Sequence, residues 1–438
     1  MNGTGPSLPR RHADRGAPAR VAIVSHSAMA GSELAIARLV EGLDPEIFRA
    51  IVVLPSDGPL RENLAARGVE SVLLPTAWWV PATHWPSSTF TGQLAGLDER
   101  TDRLAEWLRS ERIALVHTNT VVTLEGALAA ARLGIPHLWH SRGLFDTGFP
   151  PSYFSDLEFI FGVVDLLADG VICVSRTVRE QTDAYCRLAP RHVVYDGFDL
   201  AGFLASSSVP RDALLQRLGL DPGVRIVASL GGLQRRKGQL DLVDAFASLA
   251  GRYPDLCLVL AGGHNDEEYV RAIVEAIARH GLAGRVSLPG GLSDPMSLLR
   301  AAEVVVQPSL SEGFGLGVLE AAAAARPVVA TRCGGPEEVL EDGVSGLLVP
   351  PADPPALARA LDSLLGDRER ACQIGEAAAR RAASFDTRST AAAIARIYEA
   401  TLEAPPDPTT RVVEVRQRLA PLLMREVLLR AGVPSTGP

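Results

Sequence analysis

Short apolar runs alternate with longer stretches in which apolar residues recur every three or four positions. In the first half, runs at residues 20–25, 49–54, 71–74, 114–117, 137–140, 170–174 and 192–195 read as strands, with helical patterns such as 32–43 between most of them. That rhythm predicts βαβ units and a mostly parallel sheet. It pauses at 196–223, where Gly, Ser and Pro cluster. It restarts with strand-like runs at 225–230, 257–261, 285–288, 303–307, 328–330 and 346–349. The expected class is α/β, with two Rossmann-like doubly wound domains facing across a cleft. The expected divisions are a disordered lead (1–19), an N-terminal domain (20–200), a linker (201–223), a second domain (224–381), a long helix (382–403) and a tail (404–438). Such domains bind ligands at the carboxyl ends of their strands. Residues 76–92 read as a long loop near the cleft and hold Trp78, Trp79 and Trp85.

Composition narrows the class. Of 438 residues, 47% are hydrophobic, which excludes a mostly disordered chain. The formal charge of −8, from 43 basic and 51 acidic residues, gives no basic footprint for nucleic acid. Among the 43 basic residues only one is lysine, Lys237. Either coding bias exchanged every other lysine for arginine, or position 237 requires a compact ammonium. The five cysteines (173, 186, 257, 333 and 372) form no C-x-x-C pair. No apolar stretch reaches the ~18 residues of a membrane span; the nearest, 159–174, is broken by Asp165 and Asp169. Arg10, Arg11 and Arg15 are followed by no apolar segment of a secretory signal. A cytoplasmic location is expected. The arginine-bearing stretch 412–429 leaves peripheral contact with the inner membrane face open, against a solvated or domain-packed helix. No oligomeric state can be read.

Two loops carry the candidate chemistry. After the run ending at Gln307 comes Pro308-Ser309-Leu310-Ser311-Glu312-Gly313-Phe314-Gly315-Leu316-Gly317, then a helix holding Glu320. Backbone N–H groups of such a turn can face an anion, and a carboxylate accepts well from vicinal hydroxyls. The competing reading is a tight strand–helix connection with solvated glutamates. The second loop is Gly231-Gly232-Leu233-Gln234-Arg235-Arg236-Lys237-Gly238. Three cations at a helix start oppose its dipole unless an anion neutralises them, which points to phosphate. The alternative is a solvated basic loop. In the first domain, Ala30-Gly31-Ser32-Glu33 opens a helix, and His117 and His140 end expected strands. No Asp-x-Asp pair occurs to hold a diphosphate through a metal, so Arg, Lys and backbone dipoles must neutralise it. No Gly-x-Ser-x-Gly elbow occurs either.

The segment 285–349 resembles the retaining glycosyltransferases of family 4, which have the GT-B fold. It carries their Glu-x7-Glu spacing as Glu312 and Glu320. Around it stand Gln307-Pro308-Ser309, Arg326-Pro327-Val328-Val329-Ala330-Thr331 and Gly334-Gly335-Pro336-Glu337-Glu338. Tyr195-Asp196-Gly197-Phe198-Asp199 is similar to the family's linker, and the likeness covers roughly 20–403. The resemblance implies that the helix 382–403 returns to complete the first domain. It implies that Lys237 contacts the donor diphosphate, with Gly31, Gly232, Arg235, Arg236 and Leu316 around the donor. Glu320 would bind the ribose. Glu312, with the backbone of Gly313, Phe314 and Gly315, would hold sugar and phosphates, and His140 would stand beside the sugar. Four positions depart from the pattern: Gly232 stands where an arginine is usual, Ala30 and Ala325 replace glycines, and Asp196 replaces an asparagine.

The implied activity is retaining, metal-independent transfer of a hexosyl unit from a nucleotide diphosphate sugar, expected to be a UDP-sugar, to a hydroxyl acceptor. The acceptor is a sugar, a lipid-linked sugar or a small molecule, in polysaccharide, glycoconjugate or natural-product synthesis. No cofactor is implied. A sugar-nucleotide epimerase on the same fold and a non-catalytic sugar-nucleotide-binding module are the alternatives; Gly232 favours the latter.

Overall fold

The computed structural model describes residues 17–27, 31–80, 92–145, 157–206, 208–264 and 266–403. Trp85, Ala30 and the tail 404–438 lie outside them. Two parallel sheets organise the chain. The first contains β1 (Ala19–Val24), β2 (Phe48–Leu54), β3 (Ser71–Leu73), β4 (Leu115–Asn119), β5 (His137–Ser141), β6 (Gly170–Cys173) and β7 (Arg191–Val193). Their spatial order is β3-β2-β1-β4-β5-β6-β7. The second contains β8 (Arg225–Leu230), β9 (Leu256–Ala261), β10 (Val286–Gly290), β11 (Val304–Gln307), β12 (Val328–Thr331) and β13 (Leu347–Val349). Its order is β10-β9-β8-β11-β12-β13. Every apolar run read as a strand lies in one of these sheets. Central strands such as β1 and β9 are apolar throughout their buried length because helices cover both sheet faces.

Strand order reverses beside β1, which has β2 on one side and β4 on the other, and beside β8, between β9 and β11. These are the points where loops diverge above a doubly wound sheet and leave a crevice. Gly31 follows β1, Asn119 ends β4, Gly231 follows β8 and Pro308 follows β11. One hydrophobic cluster runs through both domains and includes Trp139 and Phe161 from the first and Phe314 and Val318 from the second.

The stretch 201–223 is more ordered than a linker. It contains the helices Leu200–Ala205 and Arg211–Leu218, the first capped by the Asp199 carboxylate on the Gly202 N–H at 2.9 Å. Leu214, Leu215 and Leu218 are buried, and their helix packs on the second-domain helix Pro295–Ala301. Short apolar spacing hidden among Gly, Ser and Pro made this helix hard to read. The pattern 382–403 also divides: Ala382 ends the helix Arg368–Ala382, and the returning helix is Thr387–Glu403. The two crossings lie side by side, with the Phe198 N–H donating to the Phe385 carbonyl at 2.8 Å. The returning helix then packs on the first-domain helix Gly31–Gly42.

Asp165 stands in the helix Leu157–Leu167, where its buried carboxylate accepts from the N–H groups of Arg187, Leu188 and Ala189 at 2.8, 2.8 and 2.9 Å. The acid that interrupts the apolar stretch thus anchors the approach to β7. Among the described residues no helix is long and apolar enough to cross a membrane. Asp165→Ala leaves these donors without an acceptor and should lower stability by about 2–4 kcal/mol. Urea unfolding checks this; an unchanged midpoint contradicts it.

Candidate active site

The loops after β8 and β11 are clamped together. The Leu310 N–H donates to the Arg236 carbonyl at 2.8 Å. Gly238 has φ +65°, and a Cβ there would stand 2.0 Å from the Pro308 carbonyl oxygen, so only glycine permits this approach. The clamp brings Lys237 to Glu312: the ammonium donates to the carboxylate Oε1. Ser309 Oγ donates to the same oxygen at 2.8 Å and Gln307 Nε2 lies 3.3 Å from it. Arg236 reaches Oε2 at 3.3 Å and donates to the Ser311 carbonyl at 2.7 Å. Burial alone would raise the Glu312 carboxyl. The Lys237 ammonium and Arg236 guanidinium overcome it and hold the group down at about 2. Burial draws the Lys237 ammonium down while the Glu312 carboxylate pulls it up. We read the pair as ionised at neutral pH, because each charge is the other's main compensation.

The facing wall belongs to the first domain. A Cβ on Gly313 would stand 2.2 Å from the Arg142 carbonyl oxygen, and one on Gly31 2.9 Å from Leu316 Cδ1. Glu338 of the second domain accepts from the Thr177 N–H at 3.1 Å and pairs with Arg176 at 3.3 Å. Behind Gly313 lies a buried polar network. Arg142 donates to Asn119 Oδ1 and to Asp196 Oδ1, the side chains of Arg142 and Asp196 being 6% and 7% exposed. His140 is buried, with Nδ1 3.2 Å from both His117 Nε2 and an Arg142 terminal nitrogen. Its Nε2 is buried without a partner among the described residues. Burial, Arg142 and His117 hold His140 well below the ordinary imidazole value.

The expected site residues divide. Lys237, Arg236, Glu312 and Gly313 come together, with Gly31 and Leu316 touching across the crevice and Gly315 preceding the helix Leu316–Ala323. Glu320 lies along that helix. Burial raises its carboxyl, with Arg38 and Lys237 pulling it down. The Phe314 ring instead stacks on Tyr195 at 5.6 Å and meets Phe385 edge-on at 5.5 Å, so the side chain braces the domain crossings. Arg235 is not brought to the pair. It extends toward Asp266 and Glu268, at 3.7 and 3.0 Å. The anion expected to neutralise the three cations is therefore supplied in part by the chain's own carboxylates. Gly232 gives its carbonyl to Gln239 Nε2 at 3.0 Å, and Arg236 is the guanidinium that faces Glu312.

Two departures have structural answers. Asp196 is the ion-pair partner of Arg142. Ala325 has φ +55°, the left-handed backbone that glycine favours, so the turn keeps its shape at a strain of roughly 1–2 kcal/mol. Trp79 is packed: its indole donates to the Val121 carbonyl at 2.8 Å and its ring meets Phe159 edge-on at 6.0 Å. Trp78 donates to His26 Nδ1 at 3.0 Å. The contributions of Arg142, Asn119 and Tyr398 are absent from the sequence reading. Arg142 and Asn119 lie in quoted motifs beside the histidines; Tyr398 has no local signal. Among the described residues no group of His, Cys, Asp and Glu is arranged to hold a metal ion.

Two α/β domains of parallel strands meet at a crevice whose second-domain wall holds the buried Lys237–Glu312 pair, and comparison with known proteins gives the family. The profile of "Glycosyltransferase Family 4" matches residues 29–201 and that of "Glycosyl transferases group 1" matches 210–381. The D-inositol 3-phosphate glycosyltransferase of Salinispora tropica is 32% identical over 371 residues, 77% of this chain and 76% of that protein. The alpha-maltose-1-phosphate synthase of Mycolicibacterium smegmatis is 33% identical over 323 residues, 68% of this chain and 81% of that protein. Against other curated relatives, such as the D-inositol 3-phosphate glycosyltransferase of Corynebacterium urealyticum, the matched part spans about half of the relative's length (50%). Among solved structures, Anabaena Alr3699/HepE in complex with UDP is similar at a TM-score of 0.72 and 25% identity, covering 87% of this chain and 100% of that one. The chain belongs to the family 4, group 1 glycosyltransferases and has the GT-B fold.

Gly313→Ala forces the second-domain loop off the Arg142 carbonyl. Displacement near 1 Å at a reacting centre costs about a hundredfold in rate. Turnover should fall by that order while far-UV circular dichroism is unchanged. Gly251→Ala, with nothing within 4 Å, is the control. Equal turnover in both variants contradicts the contact.

Proposed function

We propose that this glycosyltransferase moves a hexosyl unit from a UDP-sugar to a hydroxyl acceptor with retention of anomeric configuration and without a metal ion. The carrying observation is the buried Lys237–Glu312 pair, set where the strand ends of the second domain meet Arg142 of the first. The UDP named in the Anabaena structure supports uridine as the donor base.

The reaction breaks the bond from the sugar C1 to the diphosphate oxygen and forms a bond from C1 to the acceptor oxygen on the same face. Lys237, Arg236 and the N-terminus of the helix Leu316–Ala323 receive the charge that develops on the leaving diphosphate. Glu312 faces the sugar, where its negative charge opposes the positive charge of the ring. A carboxyl held at about 2 is a weak base near neutral pH, and His140 is weakened in the same sense. The departing phosphate oxygen is therefore the group that takes the acceptor proton. His140 lies beside the sugar, and the Glu320 carboxylate accepts from the ribose hydroxyls. The acceptor binds at the first-domain strand ends, near His26, Trp78 and Thr120. A sugar, a lipid-linked sugar or a small molecule all suit a hydroxyl nucleophile.

Removing one preorganised donor to a developing anion costs ~10²–10³ in rate. Lys237→Ala should lose turnover of that order in a folded protein. Lys237→Arg should lose about tenfold, because the Lys237 stem lies 3.7 Å from a Cβ position on Gly231 and the wider guanidinium has a different reach. Kinetics with UDP-glucose and anomeric assignment of the product by NMR provide the test. A folded Lys237→Ala protein with wild-type turnover, or an inverted product, overturns the proposal.

A further inference from the structure

The first-domain wall contains a chain of polar contacts of which the transfer chemistry above uses only the end, His140. Tyr398, fully buried on the returning helix, places its hydroxyl 2.6 Å from His117 Nδ1. His117 Nε2 is 3.2 Å from His140 Nδ1, and an Arg142 terminal nitrogen is 3.2 Å from that same Nδ1.

A guanidinium only donates. Nδ1 of His140 is therefore an acceptor, and in the neutral ring the proton sits on Nε2. His117 Nε2 faces that acceptor, so it donates. His117 Nδ1 must then accept, and the Tyr398 O–H supplies the hydrogen. Each proton along Tyr398, His117 and His140 thus has a single place. The chain ends at the Nε2–H of His140, a buried donor without a partner among the described residues. A buried N–H is costly to leave unpaired, and a hydroxyl of a bound sugar satisfies it.

We propose that Tyr398 and His117, together with Arg142, are positioning residues for the transfer reaction. They fix His140 in the neutral, Nε2-protonated form, which donates a hydrogen bond to the transferred sugar and exchanges no proton with it. This inference rests on the placement of His140 beside the sugar. The charged and titratable groups around the two rings are consistent with neutrality. Arg142 disfavours a positive charge on His140 and His117, His137 adds to this at His117, and burial carries His117 down to about 3. Asp196 is committed to Arg142, which Asn119 also holds; Asn119 in turn donates to Ser25 Oγ at 3.0 Å.

Long-range 1H–15N NMR of the histidine rings in the full chain at pH 7 reads the tautomers directly. Both His117 and His140 should be neutral with the proton on Nε2. In Tyr398→Phe the His117 tautomer should become mixed, and kcat for UDP-glucose should fall by about fivefold with KM nearly unchanged, the effect of one lost hydrogen bond. His117→Gln, which keeps an amide N–H near the Nε2 position, should retain kcat within about threefold, whereas His117→Leu should lose about tenfold. In a His140→Ala background, Tyr398→Phe should have no further effect.

Equal losses in His117→Gln and His117→Leu mean packing alone and overturn the proposal. So does a His140 proton on Nδ1, or a charged ring, in the wild-type spectrum. Wild-type turnover in His140→Ala overturns the placement of His140 beside the sugar, and the positioning role with it. A wrong tautomer alongside an impaired His140→Ala overturns the positioning role alone.

Discussion

Keeping an ammonium and a carboxylate together, largely out of water, is the constraint around which the second domain is arranged. Lys237 is 17% exposed and Glu312 9%. Removing either partner strands the other charge, at a cost of about 3–5 kcal/mol for a buried pair. The clamp between the β8 and β11 loops, the Gly238 backbone against Pro308, and the Ser309 and Gln307 contacts to the carboxylate all act to hold that pair. A desolvated cation fixed in this way needs no reorganisation when negative charge develops beside it, which is the condition for strong electrostatic catalysis.

In the proposed chemistry the pair acts against the first-domain wall. The double crossing of the chain sets that wall in place. Tyr195 and Phe385 come from the two crossings and grip Phe314, whose neighbours Glu312 and Gly313 face the site. Gly313 sits against the Arg142 carbonyl, and the Arg142 side chain carries the buried network of Asn119, Asp196 and His140. A displacement at the crossings therefore moves both walls of the crevice, so packing and catalytic geometry are linked through a few residues.

The strands were legible because parallel strands covered on both faces are written as unbroken apolar runs, and β9 is a clear case. Lys237 and Arg236 were legible because their loop follows a strand and carries cations that conflict with the local helix dipole, and Glu312 because it stands in a Gly-rich turn after a strand, at the family's Glu-x7-Glu spacing. Arg235 shares that local signal but turns to Asp266 and Glu268, since sequence adjacency does not say which way a side chain leaves a short 3-10 turn. The helix Arg211–Leu218 was obscured by the Gly, Ser and Pro around it. Tyr398 could not be found locally: its partner His117 is 281 positions away, and only the return of the last helix onto the first domain brings them together.

The most direct measurement is a crystal structure of the full chain with UDP bound. The account predicts the diphosphate within hydrogen-bond distance of Lys237 Nζ, with Arg236 beside it and the ribose hydroxyls on the Glu320 carboxylate. UDP bound away from the crevice, or with its phosphates out of reach of Lys237, would contradict it.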